Sequence, residues 1–382
     1  MALQLLLSLA SASAEDPYAR AVRLVGEMTL DEKLGFVQQN RTEHPDSGYT
    51  GVISAVPRLG IPALRMNDGP EGFRGLAGTS TQWLSGLTLA HSFDAALFSE
   101  YGIAVGDEFS GKGANCQFGP GVNLARLPFG GRSFEYLSGE DPFLGSVLVQ
   151  PFVRGVQSRG VISNVKHFID NNQEGVAASG AGDRHTSSMV VDERTEMEMY
   201  FPPFEGALNA GALSVMCANN MVNGVYVCEN NRTENGILRA YGGFKGWVCS
   251  DYDGTRSTID AANHGLDIAM PGPRARAAGV EVDAAARGAV GMGMSRPDYF
   301  GAPLRAAIKT GYVSEATLTE KAVRVVYSLA VSLLLIAVDI LCESCSQFDL
   351  PGLAPPHYTI ILPCQRPSVR STETIPTRRL AM

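Results

Sequence analysis

The sequence is poor in the features that mark several large classes of protein. Its 382 residues hold seven cysteines, too few for a disulfide scaffold, and the odd number leaves at least one unpaired or intermolecular. No charge of one sign dominates strongly, because 31 Lys and Arg oppose 39 Asp and Glu, for a net charge of −8. This balance excludes a partner whose binding depends on neutralised phosphates, so no nucleic-acid partner is predicted.

Long apolar runs and metal-binding patterns are also lacking. The apolar stretch at 325–338 covers about 14 residues where about 20 are needed to cross a bilayer, which favours a buried helix over a membrane anchor. The six histidines show no HxH or HExxH spacing, and no P-loop, GxGxxG or Gly-x-Ser-x-Gly motif follows a candidate strand. The sequence therefore predicts neither a metal nor a cofactor, and carboxylate chemistry remains.

The first 14 residues form an apolar run that ends in Ala-Ser-Ala, a pattern typical of a secretory signal peptide. A frayed N-terminal helix is the alternative. Asn40 and Asn231 each begin an Asn-x-Thr triplet, the acceptor pattern for N-glycosylation on the secretory route. We therefore expect a secreted, extracellular glycoprotein.

The remaining chain has the pattern of an α/β fold. From about residue 50, short apolar runs alternate with longer amphipathic ones, as in βα units around a parallel sheet. About seven strands favour a (β/α)8-like TIM barrel with an irregular first strand over a doubly wound open sheet. The candidate strands are 51–56, 63–67, 114–118, 161–167, 213–218, 246–250 and 266–269, and the candidate helices are 94–112, 142–158, 193–209, 235–241, 255–263 and 314–336.

We predict a single main domain. Residues 1–14 are the signal peptide, the barrel spans 15–338, and 339–382 form an irregular tail. This tail holds three cysteines and six prolines and sustains no helical or strand period. Its Cys342-x-x-Cys345 pair lacks a second pair at zinc-finger spacing, so we assign it no function.

Polar residues end or follow five of the apolar runs, where a barrel of this type places its reacting groups. These residues also have purely structural interpretations. Asp68 precedes Gly69, and an Asp before Gly is a common turn former, while Arg132 can pin its loop to Glu135. Lys166 and His167 point to opposite sides of a regular strand, so one of them can be structural. Taken together, two carboxylates, two cations and an imidazole suit a polyhydroxylated ligand held by charge-assisted hydrogen bonds. The five places are Asp68, Arg132, Lys166 with His167, Asn219 with Asn220, and Asp251.

An ordered set of motifs resembles the N-terminal barrel domain of glycoside hydrolase family 3, in particular its β-glucosidase branch. The set spans about residues 20–330 and comes in the family's order. Any one motif is weak, and the ordered set is specific. The matching stretches are 28–33 (MTLDEK), 67–72 (NDGPEG), 119–123 (GPGVN), 130–135 (GGRSFE), 166–168 (KHF), 171–174 (NNQE), 191–194 (VDER), 202–204 (PPF), 246–251 (GWVCSD) and 270–272 (MPG).

The resemblance implies a retaining mechanism, in which an ionised carboxylate attacks the anomeric carbon about 5 to 5.5 Å from a proton donor. Asp251 corresponds to the family's catalytic nucleophile, and it stays ionised if Lys166 or Arg132 lies near it. Asp68, Arg132, Lys166 and His167 correspond to the groups that hold the hydroxyls of the glycosyl unit in the first subsite.

The resemblance also assigns residues around that subsite. Met216, Asn219 and Tyr252 fall in the same pocket's motifs. Asn219 stands where many members carry Tyr, and Tyr252 replaces the Trp that commonly follows the nucleophile, which leaves the sugar preference and the aglycone contacts open. Cys217 and Cys228 match a pair that some secreted members join as a disulfide.

The implied activity is hydrolysis of terminal non-reducing β-D-glucosyl residues in carbohydrate catabolism. Its partner is a β-linked glucoside or oligosaccharide, and no cofactor is implied. In this branch the acid/base Glu comes from a second domain after the barrel, and residues 339–382 are too few to build one. The sequence does not predict the oligomeric state.

Three other functions stay open. A catalytically deficient glycan-binding barrel fits the absent second domain. A β-N-acetylglucosaminidase fits Asp183-Arg184-His185, because that branch keeps a His/Asp acid/base pair in a barrel loop, but residues 169–174 do not have its Pro-Gly-His-Gly type loop. A Schiff-base aldolase would use Lys166 as a strand-end nucleophile.

Overall fold

Alternating strands and helices build an α/β fold. The structure, a computed structural model, describes residues 15–39, 49–74, 79–174, 184–271 and 299–345. The predicted signal peptide, Asn40, Asp183 and the tail beyond Cys345 lie outside these residues, as do the side chains of 336–345. The chain divides into two units, Met1–Leu341 and Cys342–Met382, and only the first residues of the second are described.

Two sheets contain the described strands. These strands are β1 Gly51–Ile53, β2 Leu64–Asp68, β3 Cys116–Gly121, β4 Ile162–Phe168, β5 Ser188–Met189, β6 Ser214–Cys217, β7 Met221–Val222, β8 Val225–Tyr226 and β9 Trp247–Ser250. The main sheet has the order β1-β2-β3-β4-β6-β9, and the small one has the order β5-β7-β8. In the main sheet β1 is antiparallel to β2 and every other neighbouring pair is parallel.

Single bridges continue the curled main sheet beyond β9. Cys249 pairs with Ile268, and Ala269 pairs with Gln38. The side-chain amide of Gln39 then donates to the carbonyl of Thr50, 2.7 Å away and next to β1. The TIM-barrel-like fold is therefore confirmed, but the predicted strand at 266–269 is reduced to bridges, and the first strand is short and antiparallel.

The helices follow the predicted segments with two main differences. They are α1 Pro17–Gly26, α2 Leu30–Phe36, α3 Gly86–Ala90, α4 Ala95–Gly111, α5 Pro142–Ser158, α6 Glu193–Thr195, α7 Pro202–Asn209, α8 Ile259–Asn263, α9 Ala302–Lys309 and α10 Glu315–Cys345. Three 3-10 turns (Pro57–Leu59, Ser133–Glu135, Val227–Glu229) and two π-helical turns (Glu196–Tyr200, Arg232–Tyr241) connect them.

The single helix predicted at 193–209 is wrong. It is divided into α6, the turn Glu196–Tyr200 and α7, because Pro202 and Pro203 have no amide to continue a helix and fit only its first turn. The predicted helix end near residue 336 is also wrong, since α10 continues to Cys345. Within the described ranges, no helix has both the length and the apolar character needed to cross a membrane.

Two apolar clusters hold the strands between the helices. Val215 and Val248 belong to a cluster with α4, α5 and α7, whereas their strand neighbours Met216 and Cys249 belong to another with α1 and α10. This alternation follows from the two-residue period of a strand. Helices α4 and α5 touch at Gly102, where a Cβ would lie only 2.5 Å from the carbonyl oxygen of Phe152.

A buried ionic cluster near the start of β9 ties α10 to the sheet. Asp267 is fully buried and pairs with Arg239 at 2.6 Å and Arg324 of α10 at 2.8 Å. Burial opposes its ionisation, but the two guanidinium groups outweigh burial and lower its pKa. Glu234 is also fully buried, both of its carboxylate oxygens lack a hydrogen bond, and burial raises its pKa to about 8.

We predict that Glu234→Gln stabilises the fold at neutral pH and not in acid. The folded state keeps the proton of Glu234 up to about pH 8, whereas an unfolded Glu loses it near pH 4.3. Stability is thus lost as pH rises between these values. Urea unfolding should show a gain of roughly 2–4 kcal/mol at pH 7.5 and almost none at pH 4.

The exposed Glu100 provides the control, since Glu100→Gln removes the same charge from the surface. Its effect should stay within about 0.5 kcal/mol at both pH values. An equal gain from Glu234→Gln at pH 4 and pH 7.5 would contradict this interpretation.

Candidate active site

The carboxyl ends of the parallel strands bring the predicted polar residues together. Asp68 ends β2, Lys166 and His167 lie near the end of β4, and Asp251 directly follows β9. Lys166 Nζ lies 2.9 Å from Asp68 Oδ1, and His167 Nε2 lies 3.7 Å from Asp251 Oδ2. Residues from three separate strands therefore meet at one edge of the sheet, where barrel enzymes carry their sites.

Lys166 and His167 both reach this edge, although neighbours in a regular strand face opposite sides. The pairing of β4 with β6 shifts here, because Lys166 pairs with Met216 and Phe168 pairs with Cys217. His167 is the extra residue of this bulge, and a bulge re-aims the side chain that it carries. The expected separation of the two side chains does not occur.

Eight charged side chains of alternating sign line this edge, and we call them the charge chain. Each contacts the next: Arg74 to Asp68 at 2.9 Å, Asp68 to Lys166 at 2.9 Å, Lys166 to Glu135 at 3.4 Å, Glu135 to Arg132 at 2.6 Å, Arg132 to Glu174 at 3.0 Å, Glu174 to Arg184 at 3.5 Å, and Arg184 to Asp251 at 3.1 Å. Four cations and four carboxylates thus neutralise one another, and all but the exposed Arg74 lie in a largely buried space.

Cations keep Asp68 and Glu135 ionised. Burial favours the neutral form of Asp68, but Lys166 and Arg74 outweigh burial and lower its pKa. Burial also works against Glu135, and there Lys166 and Arg132 lower the pKa. The edge therefore presents fixed acceptors and fixed donors, both of which can bind sugar hydroxyls without a proton transfer.

The two carboxylate oxygens of Asp251 have different surroundings. Its Oδ1 accepts from the backbone amide of Tyr252 at 2.6 Å, while Oδ2 has no hydrogen-bond partner and is paired in charge with Arg184. The side chain is nearly buried, with the residue 6% exposed. The cation beside Asp251 is Arg184, where we expected Lys166 or Arg132.

His167 faces Asp251 as a neutral ring. Burial lowers its pKa well below the ordinary value, and the nearby cations Arg132, Lys166 and Arg184 lower it further. Tyr136 accepts from the amide of Asn171 at 3.3 Å, which leaves its own proton for His167 Nδ1 at 3.2 Å. That network assigns the ring proton to Nε2, the nitrogen that faces Asp251.

The sequence analysis did not predict Glu174 and Arg184 as site residues. Glu174 Oε1 accepts from Arg132 and from the Asn171 amide, at 3.0 and 2.6 Å, and its Oε2 faces Arg184. Arg132 does bind Glu135, as its structural interpretation proposed, through two hydrogen bonds of 2.6 and 2.7 Å. Two signals in the sequence pointed to them. One is the NNQE motif at 171–174, and the other is the triplet 183–185, which we had considered only for a β-N-acetylglucosaminidase.

The three residues assigned around the subsite have different surroundings. Met216 is buried in the apolar cluster that contains Cys249. Asn219 donates to the carbonyl of Tyr252 at 3.1 Å and keeps its Oδ1 buried and unpartnered. The hydroxyl of Tyr252 donates to the carbonyl of Thr50, so this group is directed to the start of β1.

Four cysteines and one of the two acceptor asparagines have described side chains. Cys217 and Cys228 form a disulfide, and Cys116 and Cys249 are free and buried. Asn231 is exposed, and its side chain accepts from Asn235 at 2.8 Å. Its glycosylation stays a prediction.

His185 lies beside a cation. Its Nδ1 is 3.1 Å from a guanidinium nitrogen of Arg256, which also stacks over Tyr226 at 4.5 Å. If Nδ1 of His185 accepts from Arg256, it cannot at the same time donate to a carboxylate, as the His/Asp pair of the β-N-acetylglucosaminidase hypothesis would require. Among the described residues, no group of three or more His, Cys, Asp or Glu is arranged to hold a metal ion.

Residues 24–328 match the family described as Glycosyl hydrolase family 3 N terminal domain. The chain belongs to this family. The family resemblance in the sequence is therefore confirmed, and the matched range covers most of the barrel.

Relatives within glycosyl hydrolase family 3 are much longer than this chain. A probable beta-glucosidase A of Aspergillus terreus is 39% identical over 262 residues, which are 67% of this chain and 30% of that protein. A probable beta-glucosidase A of Emericella nidulans is 35% identical over 317 residues, 81% of this chain and 34% of that protein. The chain thus spans about a third of the length of these relatives.

Solved family 3 structures share the fold. DesR, a beta-glucosidase from Streptomyces venezuelae in complex with D-glucose, has a TM-score of 0.72 and 36% identity, covering 83% of this chain and 38% of that one. A beta-D-glucoside glucohydrolase from Trichoderma reesei has a TM-score of 0.70 and 28% identity, covering 84% and 42%. Both agree with the barrel-like architecture described above.

We predict that Lys166→Met destabilises the protein by about 3 kcal/mol at pH 7, because Asp68 and Glu135 lose their shared cation in a buried space. Both carboxyls have lowered pKa values in the folded state, so the stability they contribute is lost as pH falls through those values. The loss should therefore shrink at pH 3. Urea unfolding at the two pH values measures it.

Lys309→Met is the matched control, since Lys309 is exposed at the end of α9. We expect a change within about 0.5 kcal/mol. If Lys166→Met unfolds at the same urea concentration as the wild type at pH 7, Lys166 does not neutralise the two carboxylates.

Proposed function

We propose that the chain binds the terminal β-D-glucosyl unit of a β-glucoside or oligosaccharide and cleaves its glycosidic bond by a retaining mechanism, with Asp251 as nucleophile. The observation that carries this proposal is the state of Asp251, whose Oδ1 is fixed by a backbone amide while Oδ2 has no hydrogen bond. The names of the relatives support the substrate class. These relatives are about three times longer than this chain, so their activity is proposed for the chain and is not assigned to it by the match.

In the first step Oδ2 of Asp251 attacks the anomeric carbon. The new carbon–oxygen bond forms as the bond to the leaving oxygen breaks, and the electron pair of that bond goes to the leaving oxygen, which takes up a proton. In the second step water attacks the same carbon and gives up a proton to the group that acted as the acid, while the bond to Asp251 breaks and its electron pair returns to the carboxylate, with the configuration restored. The mechanism needs Asp251 ionised, and Arg184 pairs with its Oδ2 at 3.1 Å.

The rest of the charge chain holds the glycosyl unit. Asp68 accepts hydrogen bonds from hydroxyls, and Lys166 and Arg132 donate to hydroxyl oxygens, which makes each contact charge-assisted. Because Asp68 and Lys166 are already paired at 2.9 Å, their positions are set before the sugar arrives. Binding therefore costs little reorganisation of the protein.

The proton for the leaving oxygen has no donor among the described carboxyls of the charge chain. Glu174 is paired with Arg132 and Arg184, and the surrounding cations lower the pKa values of Asp68 and Glu135. We propose that the acid comes from outside the charge chain. The same observation favours the second candidate, a glycan-binding barrel without turnover.

We also propose that the protein follows the secretory route. The disulfide between Cys217 and Cys228 supports an oxidising compartment, since such bonds rarely persist in the cytosol. The exposure of Asn231 is compatible with its glycosylation on that route.

We predict that a 2-deoxy-2-fluoro-β-glucoside with an activated leaving group labels Asp251. Such a substrate needs little protonation to depart, so the test does not depend on the acid. Intact mass spectrometry should show one added fluoroglucosyl unit per chain, and peptide mapping should place it on Asp251. Asp251→Asn should remove the adduct because the amide is a poor nucleophile.

The matched control is Asp260→Asn, which neutralises an exposed carboxylate on α8. It should be labelled at the wild-type rate. A folded wild type that binds the glucoside without any adduct would favour the glycan-binding barrel, and an adduct on another carboxylate would refute the role of Asp251.

A further inference from the structure

The turn after β4 holds a carboxyl group that the proposed mechanism does not use. Asp170 is 3% exposed, and neither of its carboxylate oxygens has a hydrogen-bond partner. Its φ of +65° is a left-handed conformation, which Asp tolerates better than most residues. An ionised carboxylate without a partner is costly to bury, so this environment favours the neutral acid.

The charged groups that face Asp170 reinforce this preference. Glu196 is fully buried; its Oε2 pairs with Arg232, and its Oε1 has no partner. Burial raises the pKa of Asp170, Glu196 raises it further, and Arg232 offsets only part of the effect, which places the pKa at about 8. If Asp170 ionised, its negative charge would lie beside Glu196 without a hydrogen-bond donor of its own.

The same turn carries groups of the candidate active site. Asn171 is the next residue, and its side-chain amide donates to Glu174 at 2.6 Å and to the Tyr136 hydroxyl at 3.3 Å. Glu174 in turn separates the guanidinium groups of Arg132 and Arg184 in the charge chain. Asn171 and Glu174 therefore link this turn to the contacts that surround Asp251.

We propose that Asp170 is a positioning residue: the turn 169–174 stays in its buried position only while Asp170 is a neutral acid, and loss of the proton withdraws Asn171 and Glu174 from the site. An ionised Asp170 gains hydration only if the turn moves towards solvent. Arg132 and Arg184 then lose their shared partner. The site is assembled in acid and neutral solution and comes apart as pH rises.

This inference rests on the proposed function only for its catalytic consequence, so the first readout is structural. The 15N signals of the Asn171 side-chain amide, assigned from their loss in Asn171→Ala, should shift between pH 6 and 9.5 with a midpoint near 8. Asp170→Asn, which mimics the neutral acid, should remove this titration. Glu193→Gln, an exposed control beside Glu196, should leave it unchanged.

The second readout is the labelling rate with the activated fluoroglucoside. In the wild type it should fall at least about tenfold from pH 6.5 to pH 9.5, in step with the amide titration, and Asp170→Asn should extend the plateau to higher pH. If no labelling occurs at any pH, the proposed function fails, and the amide titration still decides the role of Asp170.

Two results would overturn the inference. One is an Asn171 amide signal that does not move between pH 6 and 9.5, and the other is the same titration in Asp170→Asn as in the wild type. If Asp170→Asn does not fold, Glu196→Gln takes its place. Removal of the facing charge should move the midpoint to lower pH, and an unchanged midpoint also overturns the inference.

Discussion

The mutual neutralisation of buried charges is the constraint on which the candidate active site depends. Isolated charges at the edge of the sheet would each carry a large desolvation cost. In the charge chain every carboxylate has a cation within 3.5 Å, so no charge is buried alone. The alternation fixes the positions of donors and acceptors, and it ends at Asp251, whose Oδ2 is buried without a hydrogen bond.

The scaffold supplies the positions of these charges. Parallel strands place Asp68, Lys166 and Asp251 at the same edge, and the bulge in β4 adds His167 to them. Positive charge develops on the sugar ring during glycosidic cleavage, and a carboxylate preorganised beside it stabilises the transition state. Because the members of the charge chain depend on one another, the effect of changing one is expected to reach the others.

The sequence was sufficient to predict the site residues whose positions are set by the strands. The ends of apolar runs identified Asp68, Lys166, His167 and Asp251, because parallel topology alone brings strand ends together. It was insufficient to predict which loop residues contact the site. Arg184 and Glu174 lie in irregular segments, where no period relates a residue to its neighbours in space.

Other differences follow from local geometry that a periodic pattern does not contain. The bulge at His167 adds one residue to a strand that otherwise alternates regularly. The helix predicted at 193–209 from its apolar period is broken before Pro202 and Pro203, because their missing amides cannot continue it. Burial raises the pKa of Asp170, and Glu196, which is distant in sequence, raises it further, so only the folded arrangement reveals the shift.

The most direct test of the charge chain is calorimetric titration of 1-deoxynojirimycin, a glucose-shaped amine, into the wild type and Glu174→Gln. Glu174 connects Arg132 and Arg184 in the charge chain. As the control, Glu198→Gln removes an exposed charge. We expect one binding site in the wild type and the control, and an affinity at least about tenfold weaker in Glu174→Gln. Equal affinity in all three folded proteins, or no binding by the folded wild type, would contradict the account.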